Sequence, residues 1–459
     1  MKKFRILAMV MAICTFFTLV ACTKDEQVGE QSDTDQITET EKTTEKTESD
    51  TTADSGNEEG DDTSGGEDVG DTTPAPKYSW STQGGDGTEA SPLIINQTNF
   101  VEFYNYYVYG GWNGFADEDE YFKLGSDIVV NEGDAKAWAT TAPSVKFTNA
   151  LADFRGIFDG DNHTISGLYV KTDAGATNFV NAALFNSITS AGVVKNVRIV
   201  NSYFEITNSK HSAAASIAGQ LNGGLIENCY SEAILYTGDN NTSVELGGIV
   251  GMTNATNSRI SNCVFAGIVE GKDCLNAGGI VGKANTGNAL TCTITNCLNL
   301  GVVKAKICGA IIGASATNGS TEITNSFNLS KQVFKITANG DKEWNYLCGH
   351  GAYKANVASN MKITTYAIVE FSTKDYVYGD EDVVKADVNP NYYGVVHSVI
   401  AGEESKINIS HITLQEFLTK LKAGEVAGWT VKDGYVPTPI ADLQIDISTY
   451  LTQWGITLN

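Results

Sequence analysis

The sequence predicts an all-β chain folded as a right-handed parallel β-helix, a solenoid with a short capping helix at each end. Three observations carry this. A glycine-bearing phrase recurs as GGIVG at Gly247–Gly251, GGIVG at Gly278–Gly282 and GAIIG at Gly309–Gly313, with looser copies IAG at Ile217–Gly219 and LFN at Leu184–Asn186. Downstream of each runs a second phrase, aliphatic-x-Asn-small, whose asparagines are Asn196, Asn228, Asn262, Asn296 and Asn325. These asparagines lie 32, 34, 34 and 29 residues apart, and a fixed period of about thirty residues marks units that bury their core only by stacking on neighbours. The runs within each period are short, β-branched and broken by Gly, Asn and Ser. Each period therefore holds two or three strands rather than a helix, and a crossover between parallel strands is right-handed by default.

Inside a coil, the asparagines are expected to form one structural column, their amides hydrogen-bonding up and down the stack. The residues just before them, Lys195, Glu227, Ser261, Thr295 and Thr324, are polar, as alternation predicts for outward positions. Cys229, Cys263 and Cys297 follow three of the asparagines and should stack as a second structural column. An opening copy, GIFDGDNHTISGLYV at Gly156–Val170, fits the frame with Gly167 in the Asn slot.

In chain order, residues 1–21 read as a targeting segment, with Lys2, Lys3 and Arg5 ahead of a largely apolar run from Ile6 to Val20. It closes in LVAC at Leu19–Cys22, which resembles the lipobox of bacterial lipoproteins. That resemblance implies cleavage before Cys22 and its acylation, and two or three acyl chains anchor stably. Residues 22–77 are the anchor and a linker. From Thr23 to Lys77 there are 18 acidic and 4 basic side chains and almost no large apolar residue. Such a segment cannot bury enough area to offset the entropy of ordering. It supplies most of the −24 net charge of the chain, so the acidity belongs chiefly to a stalk. As a flexible coil it spans roughly 40 Å, more with charge repulsion. Lys24-Asp25-Glu26 resembles the surface-export signal of Bacteroidota lipoproteins. Asp50-Thr51-Thr52 and Asp71-Thr72-Thr73 resemble that phylum's O-glycosylation motif, with Thr51 and Thr72 as acceptors.

Residues 78–155 are expected to hold the N-terminal cap and first coils. Gly84–Ile95 reads as a turn into a strand. Asn96–Gly111 reads as a helix capped by Asn96 or Thr98, with Phe100, Phe103, Tyr107 and Val108 on one face. Tyr121–Val130 is a strand and Trp138–Asp153 an inserted loop. Residues 156–332 are the repeats, and 333–459 irregular coils with a C-terminal cap. There, Ile412–Glu425 reads as an amphipathic helix with a Thr413/Glu416 capping box, an Ile412–Phe417 staple and Gly424 as its stop.

The order W…GDGT…P, capping helix, YFKLGSDI, GIFDGDNHTISGLYV, GGIVG with I-x-N-C repeats, then a helix and W…GYVP, resembles the GLUG-motif β-helix proteins over roughly residues 78–440. That family is common among surface proteins of gut bacteria, implying a Bacteroidota source, and also decorates IgA-specific metallopeptidases. The resemblance implies a surface adhesin or binding module.

An enzyme needs a constellation that the sequence does not assemble. His163, His211, His350, His397 and His411 include no H-E-x-x-H pattern. Parallel β-helices also host polysaccharide lyases and glycosidases, which need clustered carboxylates on one face. Asp159, Asp161 and His163 in FDGDNHT are the best candidates, and in GLUG proteins the segment is a turn. The acidic balance disfavours nucleic acid. Seven cysteines remain after Cys14 and Cys22, an odd number that cannot pair completely, and no Cys-x-x-Cys marks a zinc site. They read as free core thiols. The expectation is a lipid-anchored, surface-exposed outer-membrane lipoprotein that binds a host or microbial glycan or surface protein as a monomer, without cofactor or metal. A carbohydrate-active enzyme and a purely architectural envelope protein are the alternatives.

Overall fold

A computed structural model describes residues 80–81, 84–108, 119–173, 181–207, 212–238, 243–274, 276–284, 290–315, 319–336, 340–343, 347–351, 361–372 and 407–457. Cys22, Lys24–Glu26, Thr51 and Thr72 lie outside them. The chain is a parallel β-helix. Each full coil carries five very short strands, not two or three, and stacking the coils makes five sheets, here A to E in the order a coil visits them. The coil beginning at Leu225 shows the plan: Leu225–Glu227 in A, Tyr230–Ser231 in B, Ile234–Thr237 in C, Glu245–Gly247 in D and Val250–Thr253 in E, before Ser258–Ser261 returns to A. Strands of two to five residues are too short to show a period-two signature, which is why several of them merge on reading.

Sheet A, with ten strands, is the spine. One row of level positions crosses all of it in register: Leu93, Phe122, Phe158, Val194, Ile226, Ile260, Ile294, Ile323, Ile363 and Ile407. From Leu93 to Ile363 these side chains are fully buried or nearly so. Rings fill the core at the N-terminal end, where Phe154, Phe158 and Phe185 meet at 5.0–6.4 Å. Later coils use Ile, Val and Cys.

The GGIVG phrases form the corner from D to E. Gly247, Gly278 and Gly309 stand level. A Cβ on Gly247 would lie 1.7 Å from the Val250 carbonyl oxygen, and one on Gly278 2.0 Å from that of Val281. Neither has positive φ. Backbone passing over backbone, rather than a left-handed turn, is what requires glycine here.

Helix α1, Phe100–Val108, lays Phe100, Phe103, Tyr104 and Tyr107 over the N-terminal end of the core. Tyr104, at i+4 from Phe100, was not among the expected face residues, and its hydroxyl donates to the Asn149 carbonyl. The expected strand Tyr121–Val130 is two strands, Tyr121–Leu124 in A and Ile128–Val129 in B. The expected loop Trp138–Asp153 completes a coil: Phe147 bridges to Val170 in sheet C and Leu151 to Phe185 in sheet E.

Helix α2, Leu414–Lys422, starts with the expected capping box: the Thr413 hydroxyl accepts from the Glu416 N–H, and the Glu416 carboxylate accepts from the Thr413 N–H. Its buried Leu414, Phe417 and Leu421 pack on Phe327 and Leu329. The chain then continues as a strap along the outer side of sheet B. Val426, Val436, Ile440, Ile445 and Trp454 cover Tyr230, Val264, Leu298, Leu300, Phe327 and Leu329, which face away from the main core. The strap ends in helix α3, Ile447–Trp454. Asp446 caps its start and Gly455, at φ +63, its end.

Candidate functional site

Asn196, Asn228, Asn262, Asn296 and Asn325 each follow a sheet A strand and form the corner to sheet B. All five have left-handed φ, between 46° and 57°, a region that asparagine tolerates better than other side chains. Each N–H donates to the residue before the next asparagine level, for example Asn228 to Ser261 and Asn262 to Thr295 at 3.1 and 3.0 Å. The backbone ladder is thus unbroken, whereas the amides link in pairs: Asn228 Nδ2 donates to Asn196 Oδ1 at 3.3 Å and Asn296 Nδ2 to Asn262 Oδ1 at 3.1 Å. Turn geometry is the more general reason for asparagine here. In the opening coil the level residue is Gly160, because Asp159 pairs with Lys195. Gly167 instead stands level with Asn201, one corner later, since Ser166 pairs with Val200.

Cys229, Cys263 and Cys297 are fully buried just past this corner. Each thiol points to the carbonyl two residues back, at 3.2–3.4 Å. Cys274, Cys292, Cys308 and Cys348 are buried as well, and all seven are free. Burial, then the neighbouring Cys229 and Cys297, pushes the Cys263 thiol well above the ordinary thiol range. Among the described residues, no group of three or more His, Cys, Asp and Glu side chains is placed to hold a metal ion.

The FDGDNHT residues are engaged locally. Burial by itself would raise Asp159, yet the Asn196 amide at 2.8 Å, the Asp161 N–H and Lys195 at 3.4 Å hold it below the ordinary carboxylate range. Asp161 pairs with Lys123 at 3.0 Å, and His163 Nδ1 lies 3.2 Å from Asp127. Asp161 and Asn162, at φ 48° and 65°, make a corner two residues longer than the later ones. The arrangement is that of a braced turn.

A more open feature lies at the corner from B to C. There a groove of about 450 Å³ runs beside the solenoid, within the ~300–1,000 Å³ range of small-ligand sites. Its floor is the half-exposed aliphatic row Ile234, Ile268 and Val302, level on successive coils. Gly267 and Gly301 keep the floor low. A Cβ on Gly267 would meet the Ala233 carbonyl oxygen at 2.1 Å, and one on Gly301 would meet that of Gly267 at 2.6 Å. One lip is Asp134–Lys136, held because Asn201 accepts from the Ala135 N–H at 2.9 Å and donates to the Gly133 carbonyl at 2.7 Å. Trp138 anchors the same segment edge-on to Tyr169, which stacks on Tyr203 at 5.6 Å. The other lip is Tyr450 and Gln453 of α3. The strap holds it through Arg198–Asp442 at 2.6 Å and Phe371 against Trp454 at 4.8 Å. Glu232 lies on the wall and accepts from the Tyr230 hydroxyl. Burial, then the Glu232 charge, pushes the Tyr450 phenol up to about 12.

No family model matches the chain. The chain is 27% identical over 172 residues to Halomucin of Haloquadratum walsbyi, a stretch covering 37% of this chain and 2% of Halomucin. It superposes on the crystal structure of a candidate immunoglobulin A1 protease from Bacteroides ovatus with a TM-score of 0.50 and 20% identity, over 77% of this chain and 94% of that one. The likeness is one of fold.

None of the groove residues was singled out by sequence. Gly267 and Gly301 lie 34 residues apart, each just before an outward aliphatic residue, and that spacing was the available signal. The lips carried none, because Asp134 and Tyr450 meet only through the strap.

Proposed function

We propose that the chain is a lipid-anchored lipoprotein, displayed at the outer surface of a Bacteroidota cell, whose solenoid binds a glycan or protein without turning it over. The observation that carries the binding reading is the lateral groove, built by two additions to the solenoid and floored by outward aliphatic side chains that the strap leaves uncovered. The LVAC motif and acidic linker support the anchor and stalk. The GLUG-like repeat, the likeness to a Bacteroides ovatus protein and the match to a protein named for mucin support a surface role. Among the described residues no helix is long and apolar enough to cross a membrane; the attachment proposed is the acylated Cys22.

The test has two arms. Protease shaving of intact cells should remove the full chain, and Cys22→Ser should abolish its membrane association. The same unacylated chain, applied to glycan and mucin arrays, should bind at least one ligand and leave it unchanged by mass. Shortened or unsaturated products would put a carbohydrate-active enzyme in its place. Bare arrays together with protection from shaving would leave an architectural envelope protein.

A further inference from the structure

We infer that the groove at the corner from B to C takes an uncharged glycan chain laid along the solenoid axis, with Tyr450 as the platform for one sugar ring. The inference rests on the binding reading and names its ligand class.

Three features of the groove select this occupant. The first is repetition. The floor offers the same aliphatic step on three successive coils, Ile234, Ile268 and Val302, so it extends about 10 Å at ~4.8 Å per coil. A ligand using all three steps is a chain of ring-sized units, not a compact cofactor. The second is the state of the backbone. The N–H groups of Ala266, Ile268, Leu300 and Val302 already donate to the preceding coil at 2.7–3.0 Å. A peptide adding itself as a strand has no donors to meet along this floor. Recognition falls to side chains: two carboxylates, Asp134 and Glu232, the Gln453 amide and an aromatic ring. Carboxylates and amides are the groups that take hydroxyl protons, and an aromatic face covers the C–H side of a sugar ring. The third is charge. Asp134 and Glu232 outnumber Lys136 among the charged residues that line the groove. Uronates, sulfated sugars and sialylated chains are repelled. Neutral sugars are not.

The experiment uses the full mature chain carrying Cys22→Ser. Xylohexaose, mannohexaose, N-acetylchitohexaose and a galacturonic acid hexamer are titrated by calorimetry. At least one neutral hexamer should bind with a Kd tenfold or more below that of the galacturonate hexamer. Tyr450→Ala and Ile268→Glu should each weaken that binding about tenfold or more, with circular dichroism and melting unchanged. Where Tyr450→Ala lowers the melting temperature, Ile268→Glu and the exposed Gln453→Ala decide. No neutral hexamer bound, a preference for the galacturonate, or binding indifferent to the groove variants overturns the inference. If the arrays still show a ligand, only the ligand class and site fall. If products form, the non-catalytic reading falls with them.

Discussion

Replacing Gly279 by alanine tests the claim that the repeated glycines exist for backbone contact between coils. Gly279 lies at the corner from D to E, and its N–H reaches the Ala310 carbonyl oxygen at 3.1 Å. A Cβ there would stand 2.2 Å from that oxygen and 2.5 Å from Asn299 Oδ1. Ordinary contact begins near 3.4 Å, so the coils must part locally by about 1.2 Å out of a ~4.8 Å spacing. Asn299 cannot move aside freely, because it accepts from the Gly301 N–H and donates to Asn328 at 3.0 Å. Overpacking of this kind costs about 1–3 kcal/mol, and loss of one interstrand bond adds ~1 kcal/mol. Against this, alanine lowers the entropy of the unfolded chain by ~0.4–1 kcal/mol. The net destabilisation is about 1–3.5 kcal/mol. With a urea dependence of ~3 kcal/mol per molar, the midpoint should fall by roughly 0.3–1.2 M. The midpoint is the quantity to compare, since repeat arrays need not unfold in one step. Ala310→Gly, in the level position of the next coil, should cost under ~1 kcal/mol. A Gly279→Ala midpoint within about 0.2 M of the parent would refute the close-approach argument.

Three further outcomes follow from the columns beside the core. Asn262 has φ +52, so Asn262→Ala should destabilise by about 1–2 kcal/mol, and Asn262→Gly should recover most of it. Equal losses by urea unfolding would return the weight to the amide ladder. The mature Cys22→Ser chain should show no thiols to a disulfide reagent when native at pH 8 and seven in denaturant. Burial raises Cys263, Cys274 and Cys348 and takes Cys292 to about 12, and rapid native labelling would contradict this packing. Asp159 is held low when folded, so it contributes stability above its unfolded pKa of about 3.9, lost as pH falls through the folded value. Asn196→Gly removes the bonding amide, so its deficit against the parent in urea midpoint should be largest near pH 6 and shrink toward pH 3. A deficit constant with pH would show that Asn196 does not set the state of Asp159.

Much of the architecture was legible because solenoid stability is local and repeated. Each coil must present an aliphatic residue inward at the same place, and the row from Val194 to Ile323 does so at the spacing read from the chain. The asparagine positions and the corner glycines were legible for the same reason, since both recur with the coil, but the left-handed φ of the asparagines was not, because the sequence read them as an amide ladder. The Thr413/Glu416 capping box is likewise a short-range device. The misreadings arose where one signal served two places. Gly167 answers the conformational demand of an Asn slot but stands at the next corner. Helix α3, Ile447–Trp454, was not read from the sequence at all, because its apolar side packs on the outside of sheet B, a surface no local pattern advertises.

The sequence by itself determined that this chain stacks coils, the period at which its glycine and asparagine phrases recur and that its cysteines are core residues, since period and composition are properties of neighbours along the chain. Only the tertiary structure decided that each coil bends five times, that the C-terminal strap closes over sheet B, and that Asp134, Ile268 and Tyr450 border one groove. Those residues come from a coil insertion, a repeat and the last helix. Folding alone brings them together, because the aliphatic outer face of sheet B gains more by burial under the strap than by remaining in water.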